Sequence, residues 1–388
     1  MPPTPAGLSP IAAFYFFYYG FLGVFSPYWG PYLRTLGVPM AMIGLVTSLP
    51  LINRTYAPVI WGWLVDHSGR HGLLLRLAGI GGLVAFMALL FTQHFGWMFA
   101  AIFVATFFWS ATQPQVDATA MSLLNGDSGG FSRLRVWGSL GFVLVTMIVG
   151  YLIDGIGIKI LPFAGALVLG CMAISCWWIP KPSAVKRTSS RNVGVMSILR
   201  RREVWMLLLG CLLLGVGQGM QLSFYSIHVG DHGIGKSTMA WLWSLAILVE
   251  GILYAFMSHF SGRFRMRSLY LFSIICGVLR YLMIGWGADS LVALVIAQLM
   301  YSVSYGIQNT MAVAYVHRHF GEAYRTTGQA LYIVLGIGLG GSFGSVLGGY
   351  LWEGLGGEWL FTLSAFTSLI ALLLNWRSLP VDSKPAID

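Results

Sequence analysis

The sequence predicts an all-α membrane protein of twelve transmembrane helices arranged as two pseudo-symmetric six-helix bundles. Three observations carry this. Of 388 residues, 57% are hydrophobic and only 9% charged, far from the balance of a water-soluble domain. The apolar residues form continuous runs of about 20, the length that crosses a bilayer as a helix. They do not alternate apolar with polar over short segments, as a membrane β-barrel requires. Finally, GYLIDGIG at Gly150–Gly157 is echoed by GYLWEGLG at Gly349–Gly356, six spans further on.

In chain order the expected spans are Pro10–Thr35, Met40–Val65, Leu73–Thr92, Trp97–Leu124, Arg133–Ile153 and Ile160–Ile179, then Val204–Val229, Ser237–Phe260, Ser268–Trp286, Ser290–Val316, Thr326–Trp352 and Trp359–Arg377. The longest interruption, KPSAVKRTSSRNVGVMSILRRRE, separates the sixth from the seventh. The expected organisation is an N-terminal bundle over 1–180, a basic linker over 181–203 and a C-terminal bundle over 204–388.

Lys and Arg bias in short loops sets orientation. Arg70, Arg76, Arg133, Arg135, the linker bases, Arg263, Arg265, Arg267, Arg318, Arg325 and Arg377 share one face, against Arg34, Lys159 and Lys236 on the other. The termini and linker are therefore expected in the cytoplasm, in a bacterial-type inner membrane. The net charge of +10 follows from that topology. Because the bases are spread over loop ends and not interleaved with aromatics on one surface, nucleic acid is not an expected partner. MPPTPAGLSP has no basic n-region or cleavage site and is expected to stay on the protein. Cys171, Cys176, Cys211 and Cys276 all lie in apolar runs, so neither a disulfide framework nor a metal site is expected.

GDHGIGKS, Gly230–Ser237, matches the phosphate-binding P-loop by letters. That loop needs a strand before it, and here a membrane span precedes; no nucleotide or other cofactor is expected. The glycines of GIGLGGSFGSVLGG, Gly336–Gly349, read as small residues that let membrane helices approach closely.

GWLVDHSGRHG, Gly62–Gly72, resembles the signature loop of the major facilitator superfamily between its second and third helices. The resemblance implies a conformational latch made of Gly62, Asp66, Gly69 and Arg70, with Asp66 capping a neighbouring helix end and pairing with arginine. His67 and His71 stand where that family often has Lys or Arg.

Arg54, Asp117, Glu250 and Arg280 lie inside spans and Arg135 just inside one. Each costs on the order of 3 kcal/mol at the bilayer centre, so each needs a purpose, either a structural ion pair or a transport role. QPQVDA followed by SRLRVWG resembles the fourth-helix acid and fifth-helix arginine of lactose permease and its relatives. LVEGILYAF with ICGVLRYLMIG resembles that family's eighth-helix glutamate and ninth-helix arginine. The phenylpropionate permease branch is similar over nearly the whole chain, through FSPYWGPYL, Arg54, RVWGSLGFV and WLWSLAILVE. Two departures stand out. The tenth span, MYSVSYGIQNTM, offers Tyr301 and Ser304 in place of the histidine and glutamate of lactose permease, and Phe142 replaces its sugar-stacking tryptophan.

These readings imply a secondary transporter that couples protons to a small organic solute by alternating access, and not an enzyme. Glu250, Asp117, Arg280 and Arg135 are the expected coupling residues. Three bases against two acids leave positive charge for an anion, and guanidinium suits a carboxylate, so a monocarboxylate is expected, aromatic as the resemblance implies. Its expected ligands are Arg54, Phe142, Gln218, Gln221, Tyr225, Tyr18, Tyr28, Tyr301, Gln308 and Asn309, with Tyr15 and Tyr19 adding aromatic surface. A sugar or nucleoside symporter, or a proton-driven efflux pump of amphipathic compounds, stays open as an alternative. The expected partners are the solute, protons and the lipid bilayer, with the chain acting as a monomer.

Overall fold

The structure, a computed structural model, describes residues 8–180 and 195–379. Most of the expected linker thus lies outside the described residues. Every described element is helical: α1 (Leu8–Thr35), α2 (Met40–Ser68), α3 (His71–Met87), α4 (Phe95–Leu123), α5 (Ser128–Ile156), α6 (Leu161–Ser175), the short α7 (Val195–Leu199), α8 (Arg202–Asp231), α9 (Lys236–Arg263), α10 (Met266–Trp286), α11 (Leu291–Tyr301), α12 (Gln308–Tyr332) and α13 (Gly341–Ser378). Wide π-helical turns at Ser302–Ile307 and Ile333–Gly340 join the last three.

Ten helical stretches of the described chain are long and apolar enough to cross a membrane. The last of these, Tyr324–Ser378, is two passes, because Gly356 breaks it at φ 78°. Gly321 separates the pass before it in the same way, at φ 62°; glycine enters this region at no steric cost. The polar, arginine-bearing α2 makes the twelfth. The chain is a multi-pass membrane protein.

Two boundaries moved for local reasons. The fifth helix begins at Ser128, five residues before the expected Arg133, because the carboxylate of Asp127 caps it by accepting from Gly129 N at 2.9 Å. α2 continues to Ser68, so most of the GWLVDHSGRHG motif is the helix end itself, and only Gly69 and Arg70 separate α2 from α3.

The chain divides into two compact units, one of Met1–Pro39, Ile52–Arg187 and Gly235–Ser244, the other of Met40–Leu51, Thr188–Ile234 and Leu245–Asp388. In the first unit α1 packs on α5 and α6, and α3 on α4 and α6. In the second, α13 packs on α8 and α10. The repeat shows in how helices touch. On α5, a Cβ added at Gly141 would stand 1.9 Å from the Phe16 carbonyl oxygen of α1; on α8, one at Gly219 would stand 1.9 Å from that of Gly341 on α13. Lipid offers helices no hydrophobic reason to associate, so close contact through small residues takes over that role.

The echoed segments behave alike as well. In the first unit Asp154 Oδ1 and Oδ2 accept from the backbone N–H of Lys236 and Ser237, at 3.1 and 2.7 Å. In the second, Glu353 Oε1 accepts from the N–H of Met40 at 3.3 Å. Amides of GDHGIGKS that a P-loop would turn to phosphate are thus occupied by a carboxylate of the chain itself.

Candidate functional site: two clusters of intramembrane charge

The first unit gathers three of the five intramembrane charges around one face of α1. Tyr15 and Tyr19 are one turn apart and so point the same way. Tyr15 Oη donates to Asp117 Oδ1 at 2.5 Å. Tyr19 Oη receives N–H groups from Arg135 and, at 3.1 Å, from Gln113 Nε2. Arg54 reaches Gln113 Oε1 at 3.5 Å and lies over the Trp109 ring, 5.6 Å from its centroid. Tyr18 stacks on the other partner of that set, with its ring 4.4 Å from Trp109 and nearly parallel. Asp117 and Arg135, read from the sequence as a pair, are thus held by two tyrosines one helical turn apart and lie close enough to feel each other's charge. Asn53, next to Arg54 in the chain, donates to Thr106 Oγ1 and to the Phe103 carbonyl.

The second unit holds the other two. Arg280 is buried; its NH1 donates to Gln221 Oε1 at 2.6 Å, and the rings of Tyr281 and Tyr301 lie 4.4 and 5.2 Å from its guanidinium carbon. Gln218 Nε2 donates to Tyr301 Oη at 3.3 Å. Glu250 on α9 has the hydroxyl of Tyr254, one turn on, beside it, and Tyr254 also faces Asn309. Tyr301 stands close enough to feel both Arg280 and Glu250. The widened turn that begins at Ser302 lies directly after it; such π-turns recur at functional sites.

Of the other expected ligands, Tyr225 is buried beside Gln298 and Arg280. Phe142 is buried against Trp243, with ring centres 6.5 Å apart. Tyr28 is fully buried and donates to the Thr146 carbonyl at 2.8 Å, a packing contact between α1 and α5. Gln308 lies among the Tyr270 and Tyr332 hydroxyls, and Asn309 Oδ1 accepts from Tyr332 at 2.6 Å. In the signature motif, Gly69 takes the left-handed conformation that closes α2, Arg70 N donates to Ser68 Oγ at 3.3 Å, and Asp66 is exposed.

Trp109, Gln113, Tyr254 and Tyr281 were not singled out as site residues from the sequence. A signal was present for two of them: Gln113 lies one turn before Asp117 and Tyr254 one turn after Glu250, on the same helix faces.

Membrane passes in two repeats, with charges held inside them by tyrosines and amides, define a secondary transporter. The chain belongs to the MFS_1 like family, whose model matches residues 8–363, within the major facilitator superfamily. It is 25% identical over 375 residues to the probable 3-phenylpropionic acid transporter of Escherichia coli (strain K12), covering 95% of this chain and 97% of that one. It is 27% identical over 373 residues to the maltose permease of Geobacillus stearothermophilus, covering 93% and 92%. Among solved structures, the nucleoside transporter NupG superposes with a TM-score of 0.84 at 16% identity, over 97% of this chain and 100% of that one. These relatives are permeases, not enzymes.

Proposed function

We propose that the chain is a proton-coupled symporter of an aromatic or other monocarboxylate, working by alternating access in a bacterial-type inner membrane as a monomer. Glu250 and Asp117 carry the proton, Arg280 and Arg135 accompany them, and the remaining expected ligands other than Tyr28 shape the substrate site. The two six-helix halves, 1–180 and 204–388, are the bodies that move, and the Gly62–Arg70 motif latches them. Both termini and the linker face the cytoplasm.

The observation that carries this reading is that, among the described residues, neither intramembrane acid is spent on a buried ion pair: Asp117 takes its hydrogen bond from a tyrosine, and Glu250 has a tyrosine beside it. Such acids are free to exchange protons, while three arginines keep the interior positive. The similarity to a probable phenylpropionate transporter supports the carboxylate. A neutral sugar or nucleoside is the rival, supported by the similarity to a maltose permease and a nucleoside permease. A thermal-shift screen of the purified chain against aromatic acids, sugars and nucleosides tests the choice, since a ligand that binds only the folded state stabilises it. Stabilisation by 3-phenylpropionate and not by maltose or uridine is expected; the opposite result overturns the carboxylate reading.

A further inference from the structure

We propose that Arg280 is the residue that receives the carboxylate of the transported acid on its Nε side, with Gln221 holding the guanidinium in position through Nη1. The inference rests on the monocarboxylate reading above and assigns its charged end.

The cations differ in surroundings. Arg54 is half-buried and spread over Trp109, with an amide oxygen at 3.5 Å; Arg135 is exposed and bonded to Tyr19. Arg280 is only 2% exposed, and no ion pair reaches it among the described residues. Its Nη1 donates to a neutral amide oxygen, the Tyr281 hydroxyl is its other polar neighbour, and its Nε–H is buried without any acceptor. A buried guanidinium with only neutral neighbours is an unfavourable arrangement unless something negative visits it. The rings of Tyr281 and Tyr301 offset part of the charge through their π faces. They supply no acceptor for the free Nε–H.

A carboxylate suits what is left over. Guanidinium binds it in a two-pronged pair, and the Nε–H that has no acceptor lies on the Nη2 side, away from the Nη1 that Gln221 holds. The same position favours a ring on the acid. Tyr301 stacks on Tyr305 at 5.4 Å, 19° from parallel, and Gln218 holds its hydroxyl. The Tyr301–Tyr305 pair thus places aromatic surface beside the guanidinium. Gln218 and Gln221 are one turn apart on α8, so a single helix face positions both Tyr301 and Arg280.

The test is titration of the full chain, purified in detergent, with 3-phenylpropionate and with its neutral isostere 3-phenylpropanamide. Wild type is expected to prefer the acid by about thirtyfold, the size typical of one desolvated charge pair. In Arg280→Gln the preference falls to within threefold while the amide still binds, which shows that the site has kept its shape; Arg280→Lys retains an intermediate preference. The inference is overturned if the preference survives in Arg280→Gln. It is also overturned if Glu250→Gln added to Arg280→Gln restores acid binding, because Arg280 is then the counter-ion of Glu250. Wild type that binds both probes equally, or neither, overturns the monocarboxylate reading together with the inference.

Discussion

Asp154 and Glu353 hold the same place in the two echoed segments, and each carboxylate accepts backbone N–H groups at the start of a helix from the other six-helix run, α9 and α2 respectively. The first N–H groups of a helix have no partner within it, and the helix dipole favours negative charge there. Each contact joins helices far apart in the chain but within one compact unit.

Replacing either acid by alanine is expected to cost about 1 kcal/mol, the usual value of a cap, and asparagine much less. The two effects add, since the sites share no partner. Thermal unfolding of Asp154→Ala, Glu353→Ala and the double variant measures this; a strongly non-additive double variant contradicts independent caps.

Glycine contacts give a sharper contrast. Gly219→Ala drives a methyl into the Gly341 backbone and is expected to cost about 1–3 kcal/mol or more, seen as lost yield and a lower unfolding temperature. Gly251→Ala meets nothing within 4 Å on α9 and is expected to be neutral or stabilising by up to about 1 kcal/mol.

Asp117 and Arg135 are each held by a tyrosine of the same helical turn, Tyr15 and Tyr19. A double-mutant cycle of Asp117→Asn and Arg135→Gln, read as substrate affinity, is expected to show coupling above about 0.5 kcal/mol, the error of additivity. Repeating the cycle in Tyr19→Phe is expected to bring it below that threshold. Undiminished coupling there excludes a route through the tyrosines.

Orientation is checked by thiol labelling. Cysteines introduced over Gly230–Gly235 are expected to react with an impermeant reagent added outside cells, and one at Arg191 to be protected. The reverse pattern inverts the topology.

Helix positions were legible because lipid imposes a single demand, about 20 apolar residues per pass. The expected spans fall on the observed helices, apart from ends set by local caps such as Asp127. The repeat was legible in GYLIDGIG and GYLWEGLG, though not the reason for it: that Asp154 and Glu353 cap other helices depends on contacts 82 and 313 residues apart in the chain. The site was half legible. Intramembrane charges stand out against apolar neighbours, so Arg54, Asp117, Arg135, Glu250 and Arg280 were visible at once. Their partners are tyrosines and amides, which in a chain with 17 tyrosines carry no mark of their own. Tyr28 shows the converse: an aromatic that looked available is closed into packing by the Thr146 carbonyl.

Proton coupling is most directly tested by accumulation of labelled 3-phenylpropionate in proteoliposomes with and without an imposed pH gradient, for wild type and Glu250→Gln. The expected result is uphill accumulation by wild type only when the gradient is present. Glu250→Gln is expected to lose that accumulation yet still exchange labelled for unlabelled acid across the membrane. Accumulation that ignores the gradient, or that survives in Glu250→Gln, contradicts the account.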